Sequence, residues 1–340
     1  MASKQTIYAL FILTGIGFLS LFFLNISLGS VTIPFEEIVT SLTGGQASKS
    51  TWEYIIINYR LPKAITAIMV GMGLSISGLL MQTLFRNPLA GPYVLGLSSG
   101  ASLGVAFVIL GAGLMPSFLA SILLSSYGIV LASTFGSAVV LLAVLIVAQR
   151  LRDTAAILIV GLMFGSFTSA IVSTLTYFST ADQLQKFTFW AMGSLGNLSW
   201  NSILILTVAV VVGMGLSLYS IKALNALLLG ENYAKSMGLN FNKTRFIIIL
   251  ATSLLAGSIT AYAGPIAFIG LAVPHIAKLL FQTSNHQILF WSTLLIGASM
   301  MLLCDVISQM PGYETTLPIN AVTSLFGAPI VIWLLVRKRR

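Results

Sequence analysis

The stretch that decides the architecture is RFIIILATSLLAGSITAYAGPIAFIGLAVPHIAK, residues 245–278. Between Arg245 and Lys278 there is no charge, and the run is long for one membrane crossing of roughly 20 residues and short for two. Gly264 and Pro265, near its middle, break helices, since glycine loses most freedom on ordering and proline has no amide proton. Working outward, the remaining charges act as fence posts, because a charge at the bilayer centre costs about 3 kcal/mol or more. The intervals Lys4 to Glu36, Lys63 to Arg86, Asp153 to Asp182, Lys186 to Lys222, Lys278 to Asp305 and Glu314 to Arg337 each enclose one apolar crossing. Residues 87–149 enclose two, divided at Gly111, Gly113 and Pro116. That leaves residues 245–278 to make the total nine or ten.

Charge settles the parity. Lys4 and the terminal Arg337-Lys338-Arg339-Arg340 both belong on the cytoplasmic side, which only an even number of crossings permits. The expectation is therefore about ten transmembrane helices with both termini in the cytoplasm. Of the 17 basic residues, all but Lys49, Arg60, Lys63 and Lys186 then face the cytoplasm, an asymmetry that supports the topology independently of hydropathy. Composition agrees: of 340 residues, 57% are hydrophobic and 7% charged, which excludes a water-soluble globule. The fold class is all-α, a polytopic integral membrane protein forming a single transmembrane domain over 1–340. Its first apolar run, Tyr8 to Leu28, exceeds a signal-peptide core and reads as a span. The net charge of +9 reports topology rather than a nucleic-acid partner.

Two polar segments stand between spans. The outer one, 30–60, carries Pro34, Glu36 and Glu37 ahead of Phe35, Ile38, Val39 and Leu42 at helical spacing, which predicts a short amphipathic surface helix. The inner one, 222–245, holds Gly230-Glu-Asn-Tyr-Ala-Lys-Ser-Met-Gly-Leu239, where helix formers between two glycines predict one or two short helices. Small residues recur at every fourth position in Gly96, Gly100 and Gly104, in Gly161, Gly165, Ser169 and Ser173, and in Gly71 and Ser75. These columns read as close helix packing.

Catalytic parts are absent from the sequence. It has no G-x-x-x-x-G-K-[ST], no H-E-x-x-H, no G-x-S-x-G, two histidines and the single Cys304, so ATPase, zinc-hydrolase and serine-hydrolase chemistries lack their residues. No catalytic residue, metal site or cofactor is expected. Asp305 is the one carboxylate within an apolar run; it falls near the outer end of its helix, within reach of water, and reads as an interfacial carboxylate held by a neighbour, or else as an ion-coupling residue. His275 beside Pro274 reads as a hydrogen-bonded structural residue. What remains is a passive conduit powered from elsewhere.

Four motifs in order, Arg60-Leu-Pro-Lys63, Gly78 to Ala90 with Pro92 and Leu95-Gly96, Gly264 to His275, and Leu317-Pro-Ile-Asn320 with Gly327 to Leu335, resemble the FecCD (BtuC-like) family over nearly the whole chain. That family comprises membrane permease subunits of type II ATP-binding-cassette importers for ferric siderophores, haem and cobalamin. The resemblance implies a second permease subunit, as a homodimer or a heterodimer with a close relative. It also implies two ATP-binding subunits, an extracytoplasmic substrate-binding protein, and residence in the bacterial cytoplasmic membrane. It implies that Arg60 and Lys63, as exposed cations, dock the binding protein. Asn87, Leu89 and Thr154 match the family's cytoplasmic gate. Gly230, Glu231, Ala234, Lys235, Gly238 and Leu239 match its ATPase-coupling helices, with Ala234 and Gly238 permitting close approach. Two departures lie in the last outer loop: Thr316 and Glu314 replace a usual Glu before Leu317, and Asn320 stands for a frequent Gly. A channel or an ion-coupled transporter that needs no ATPase, using Asp305, is the alternative reading.

Overall fold

The computed structural model describes residues 3–29, 31–45, 47–150, 154–196, 198–310 and 315–337. The helices are α1 (Lys4–Ser27), α2 (Phe35–Leu42), α3 (Ser50–Ile55), α4 (Leu61–Leu84), α5 (Leu97–Ile109), α6 (Ser117–Leu123), α7 (Ser126–Arg150) and α8 (Thr154–Tyr177). They continue with α9 (Ala181–Ala191), α10 (Trp200–Tyr219), α11 (Ile221–Leu228), α12 (Glu231–Ser236), α13 (Phe241–Ala263), α14 (Ile269–Phe281), α15 (His286–Ser308) and α16 (Ile319–Arg337). Among the described residues, α1, the joined α3 and α4, α7, α8, α10, α13 and α15 are long and apolar enough to span a bilayer, while α5, α14 and α16 are shorter apolar helices. One such helix falls in each of the six single-crossing intervals, and α5 and α7 share residues 87–149. Residues 245–278 divide into α13 and α14, as the Gly-Pro break predicts.

The short length of α14 explains the ambiguity of that stretch, and α5 is equally short. With 13 residues each, α5 and α14 rise about 20 Å, less than the hydrocarbon thickness of about 30 Å. Backbone outside the α-helices completes each crossing: a 3-10 turn over Pro92–Leu95 before α5 and residues 264–268 before α14. Such backbone survives at membrane depth only when protein covers it and its polar groups are bonded. Leu95, Ala263 and Ile266 are indeed buried. Ser194 N–H donates to the Ala263 carbonyl at 2.9 Å, and Ala267 N–H donates to Asn320 Oδ1 at 3.0 Å. The Asn320 side chain thus supplies an acceptor to backbone that lies outside the helical ladder.

The second span differs from expectation at its start, since the helical run extends from Ser50 to Leu84 rather than beginning near Lys63. Pro62 lies inside this run, where its missing N–H and bulky ring disrupt the regular ladder. The chain answers with a π-helical turn over Ile56–Arg60, closed by Leu61 N–H on the Ile56 carbonyl. Around this central helix, glycine contacts are tight. A Cβ on Gly71 would overlap the Gly297 carbonyl of α15, and one on Gly78 the Gly270 carbonyl of α14. Gly100 and Gly104 of α5 meet the α7 backbone in the same way. The column on α8 behaves so only at Gly161, which meets the Val94 carbonyl. Below it, Gly165, Ser169 and Ser173 line an open groove of about 560 Å³ with Tyr93, Ser99 and Ser166, so that three of the four residues of the column form a surface rather than a packing seam.

Candidate functional site

Polar chemistry collects at the two ends of the bundle. At the first, the π turn carries Arg60 inward until the residue is 9% exposed. Its Nη1 donates to the carbonyls of Ile26 at 2.6 Å and Ser27 at 2.7 Å, and Nη2 donates to the carbonyl of Val31. The last carbonyls of a helix lack intrahelical partners and carry its partial negative charge, so a guanidinium is a fitting cap for α1. The expected exposure of Arg60 is therefore corrected: it is a buried clamp on α1.

Lys63, nearly one turn later, places Nζ 3.0 Å from Asp305 Oδ1. Asp305 is 1% exposed, and its Oδ2 accepts from Asn25 Nδ2 at 2.9 Å and Gln309 Nε2 at 2.8 Å. The expectation that water reaches Asp305 is corrected as well, because α1, α4 and its own helix enclose it. Breaking such a buried pair costs about 3–5 kcal/mol, as one charge stays buried without a partner. Asn25 and Gln309 escaped the sequence reading. Asn25 had a signal, being a lone amide in an apolar span, whereas its partner lies far away in the chain. These four residues, with Arg60, Tyr59, Ser194 and the segment 316–319, line a cavity of about 460 Å³.

At the opposite end, α4 stops at Leu84 and the chain turns through Arg86, whose φ is +48°. Asn87 Oδ1 accepts from Leu89 N–H at 2.9 Å and the Asn87 carbonyl from Ala90 N–H at 3.0 Å, an Asx turn that leaves Leu89 exposed. The His275 ring bonds the Pro88 carbonyl through Nε2 at 2.8 Å and so ties this turn to α14. Thr154 is the first residue of α8, and its side chain lies outside the described residues. Glu314 lies outside them too.

The inner polar segment forms α11 and α12. Gly230, at φ +118°, opens α12, and Glu231 pairs with Lys235 at 2.6 Å. Gly238, at φ +86°, closes it: its N–H bonds the Lys235 carbonyl while Leu239 N–H bonds that of Ala234, a Schellman ending that needs a left-handed residue. Ala234 is fully buried against its own chain, which corrects the expectation that it offers a surface for close approach. The surface belongs instead to Leu228, Leu229, Tyr233 and Met237, all exposed.

Residues 17–337 match the model of the FecCD transport family. The chain belongs to that family. FecCD relatives include the vitamin B12 import system permease protein BtuC of Klebsiella pneumoniae, 35% identical over 87% of this chain and 86% of that protein. BtuC of Escherichia coli O9:H4 is 36% identical over 85% of each chain. A solved structure described as an inward-facing conformation of a metal-chelate type ABC transporter superposes with a TM-score of 0.82 at 28% identity, covering 99% of this chain and all of that one. PsaBC from Streptococcus pneumoniae, at a TM-score of 0.55 and 16% identity over 88% of this chain and 95% of that one, shares the fold. The FecCD assignment confirms the resemblance carried by the four motifs.

Proposed function

We propose that this protein is the permease subunit of an ATP-binding-cassette importer that moves a large metal chelate, of the siderophore, haem or cobalamin kind, into the cytoplasm. The observation that carries this reading is the apolar face of Leu228, Leu229, Tyr233 and Met237 on a polar loop at the bundle end. Lipid does not cover such a loop, and a contiguous apolar face on it calls for a soluble protein partner. An ATP-binding subunit fills that need, and the relatives described above are permeases of import systems. In this reading Gly230, Glu231, Ala234, Lys235, Gly238 and Leu239 build the coupling element. Asn87, Leu89 and Thr154 form the cytoplasmic gate, both termini lie in the cytoplasm, and a second permease subunit faces the groove on α8. The binding protein docks over the outer cavity. Lys63 presents its partly exposed ammonium there, and the Arg60 charge adds to the field that steers acidic residues.

An ion-coupled transporter built on Asp305 has less support, since both carboxylate oxygens are already engaged by side-chain donors. Proteoliposomes decide between the two. Uptake of labelled cobalamin, haem or a ferric siderophore is expected only with the ATP-binding subunits, the binding protein and ATP. Uptake driven by an ion gradient without an ATPase would overturn the importer reading, and the chelate that accumulates identifies the cargo.

A further inference from the structure

The ties between the inner loop and the gate turn run through a few polar side chains that the motif comparison does not single out. Asn225, on α11, accepts at Oδ1 from both His286 N–H and His286 Nδ1, each at 2.9 Å. Because that oxygen only accepts, the imidazole proton sits on Nδ1, and Nε2 lies 2.8 Å from the Thr83 hydroxyl, which also bonds the Leu79 carbonyl at 3.0 Å. His286 is 1% exposed and Thr83 is 6% exposed, so the inner two members of this three-residue chain are shielded from water, while Asn225 is half-buried. One turn beyond Thr83, Arg86 Nη2 donates to the Leu227 carbonyl of α11 at 2.8 Å and packs beside Gly230, where α12 begins. Thr83 and Arg86 are the last turn of α4 and the corner after it, and Asn87 follows directly. The end of α11 is therefore fastened twice to the piece of chain that carries the gate turn, once in the interior and once at the surface.

We infer that Asn225 and Arg86 are positioning residues that carry displacement of the coupling loop to the Asn87–Leu89 turn. The inference rests on the gate and coupling reading proposed above. When an ATP-binding subunit pulls on α12, α11 moves as one body with it, and the two fastenings oblige the end of α4 to follow. The left-handed corner at Arg86 then converts that shift into a reorientation of Leu89. Without the fastenings, α11 slides over α4 and the gate no longer follows the nucleotide state.

The test uses the full complex in nanodiscs, with Leu89→Cys as reporter and native Cys304, 1% exposed, as a silent background. The reporter's reaction rate with a membrane-impermeant maleimide is measured with and without ATP and vanadate. With no further change the rate is expected to depend on nucleotide; a rate that ignores nucleotide overturns the gate reading itself, and this inference with it. Given that dependence, Asn225→Ala and Arg86→Met are expected to shrink it by about three- to tenfold while ATP hydrolysis continues, so that uptake per ATP falls in the Leu89 background. Asn225→Asp and Arg86→Lys, which keep the acceptor and the donor, are expected to retain it. An undiminished response in both truncations overturns the inference while leaving the gate reading intact. Should a truncation fail to assemble, hydrogen exchange on the unaltered complex gives the answer. Nucleotide-linked changes at 221–236 accompanied by changes at 86–90 support the link, and changes at 221–236 alone overturn it.

Discussion

Helices α4 and α8 have 24 residues each and are both apolar enough to cross a bilayer, yet they live in opposite surroundings. Of the most apolar window in the run containing α4, 78% is buried in protein, against 17% for α8. Hydropathy does not separate the two, because lipid tails and protein interiors are equally apolar. The small residues do. On α4 they meet backbone: Gly71 abuts α15 and Gly78 abuts α14. On α8 only Gly161 does, and the column then opens into the groove lined by Gly165, Ser169 and Ser173. A small-xxx-small pattern thus marks a seam when another backbone comes to it, and a smooth wall when none does.

The contrast is sharpest at Gly78. Gly78→Leu forces α14 away from α4 and is expected to cost about 3 kcal/mol or more, read as lost folded yield and a lower unfolding midpoint in detergent. A stable Gly78→Leu protein would break the claim that α4 is encased. Next comes the ion pair at the other end of α4. Lys63→Met leaves Asp305 charged and buried, at an expected cost of about 3 kcal/mol. Asp305→Asn leaves a partly exposed lysine and keeps hydrogen-bonding capacity, at about 1 kcal/mol. Equal losses in chemical unfolding would show that the carboxylate is less enclosed than described.

Within α8, a Cβ at position 161 strikes the Val94 carbonyl, so Gly161→Ala is expected to lose about 1–3 kcal/mol. At Gly165 the nearest neighbour is the movable Ser99 hydroxyl, and Gly165→Ala is expected to stay within about 0.5 kcal/mol of the parent. Matching thermal shifts would erase the boundary between seam and wall. Smallest in stability is Ser169→Leu, expected to change unfolding by less than about 0.5 kcal/mol while reducing ATP-driven uptake. Full uptake by that variant would count against the second permease subunit facing this groove.

The apolar segments were legible because charge is excluded from hydrocarbon: six fence-post intervals yield one such helix each, and residues 87–149 yield two. The short length of α14 was legible only as an ambiguity, since the sequence shows a Gly-Pro break but not the Asn320 amide that makes it tolerable at depth. The ends of the bundle were less readable. Arg60 bonds carbonyls, which every residue possesses, so no partner residue in the sequence announces its burial. Lys63 and Asp305 each stood out as charges at span ends, but their pairing depends on how α4 packs against α15. Ala234 and Tyr233 are neighbours in a six-residue helix, and which one faces outward follows from the docking of α12 on α13, not from the motif.

The guanidinium of Arg60 bears on the order in which the protein is made. Synthesis runs from the N-terminus, so the first helix leaves the ribosome before residue 60 does. The central stretch of that helix is only half covered, through side chains such as Phe11 and Phe18 that pack against the core, and full burial begins at Asn25 and Ile26. Its terminal oxygens must wait in the headgroup layer until the following hydrophobic stretch emerges from the ribosome and delivers the arginine. The opening helix is then moored by its successor, and a nascent chain arrested ahead of that arginine leaves it adrift in lipid.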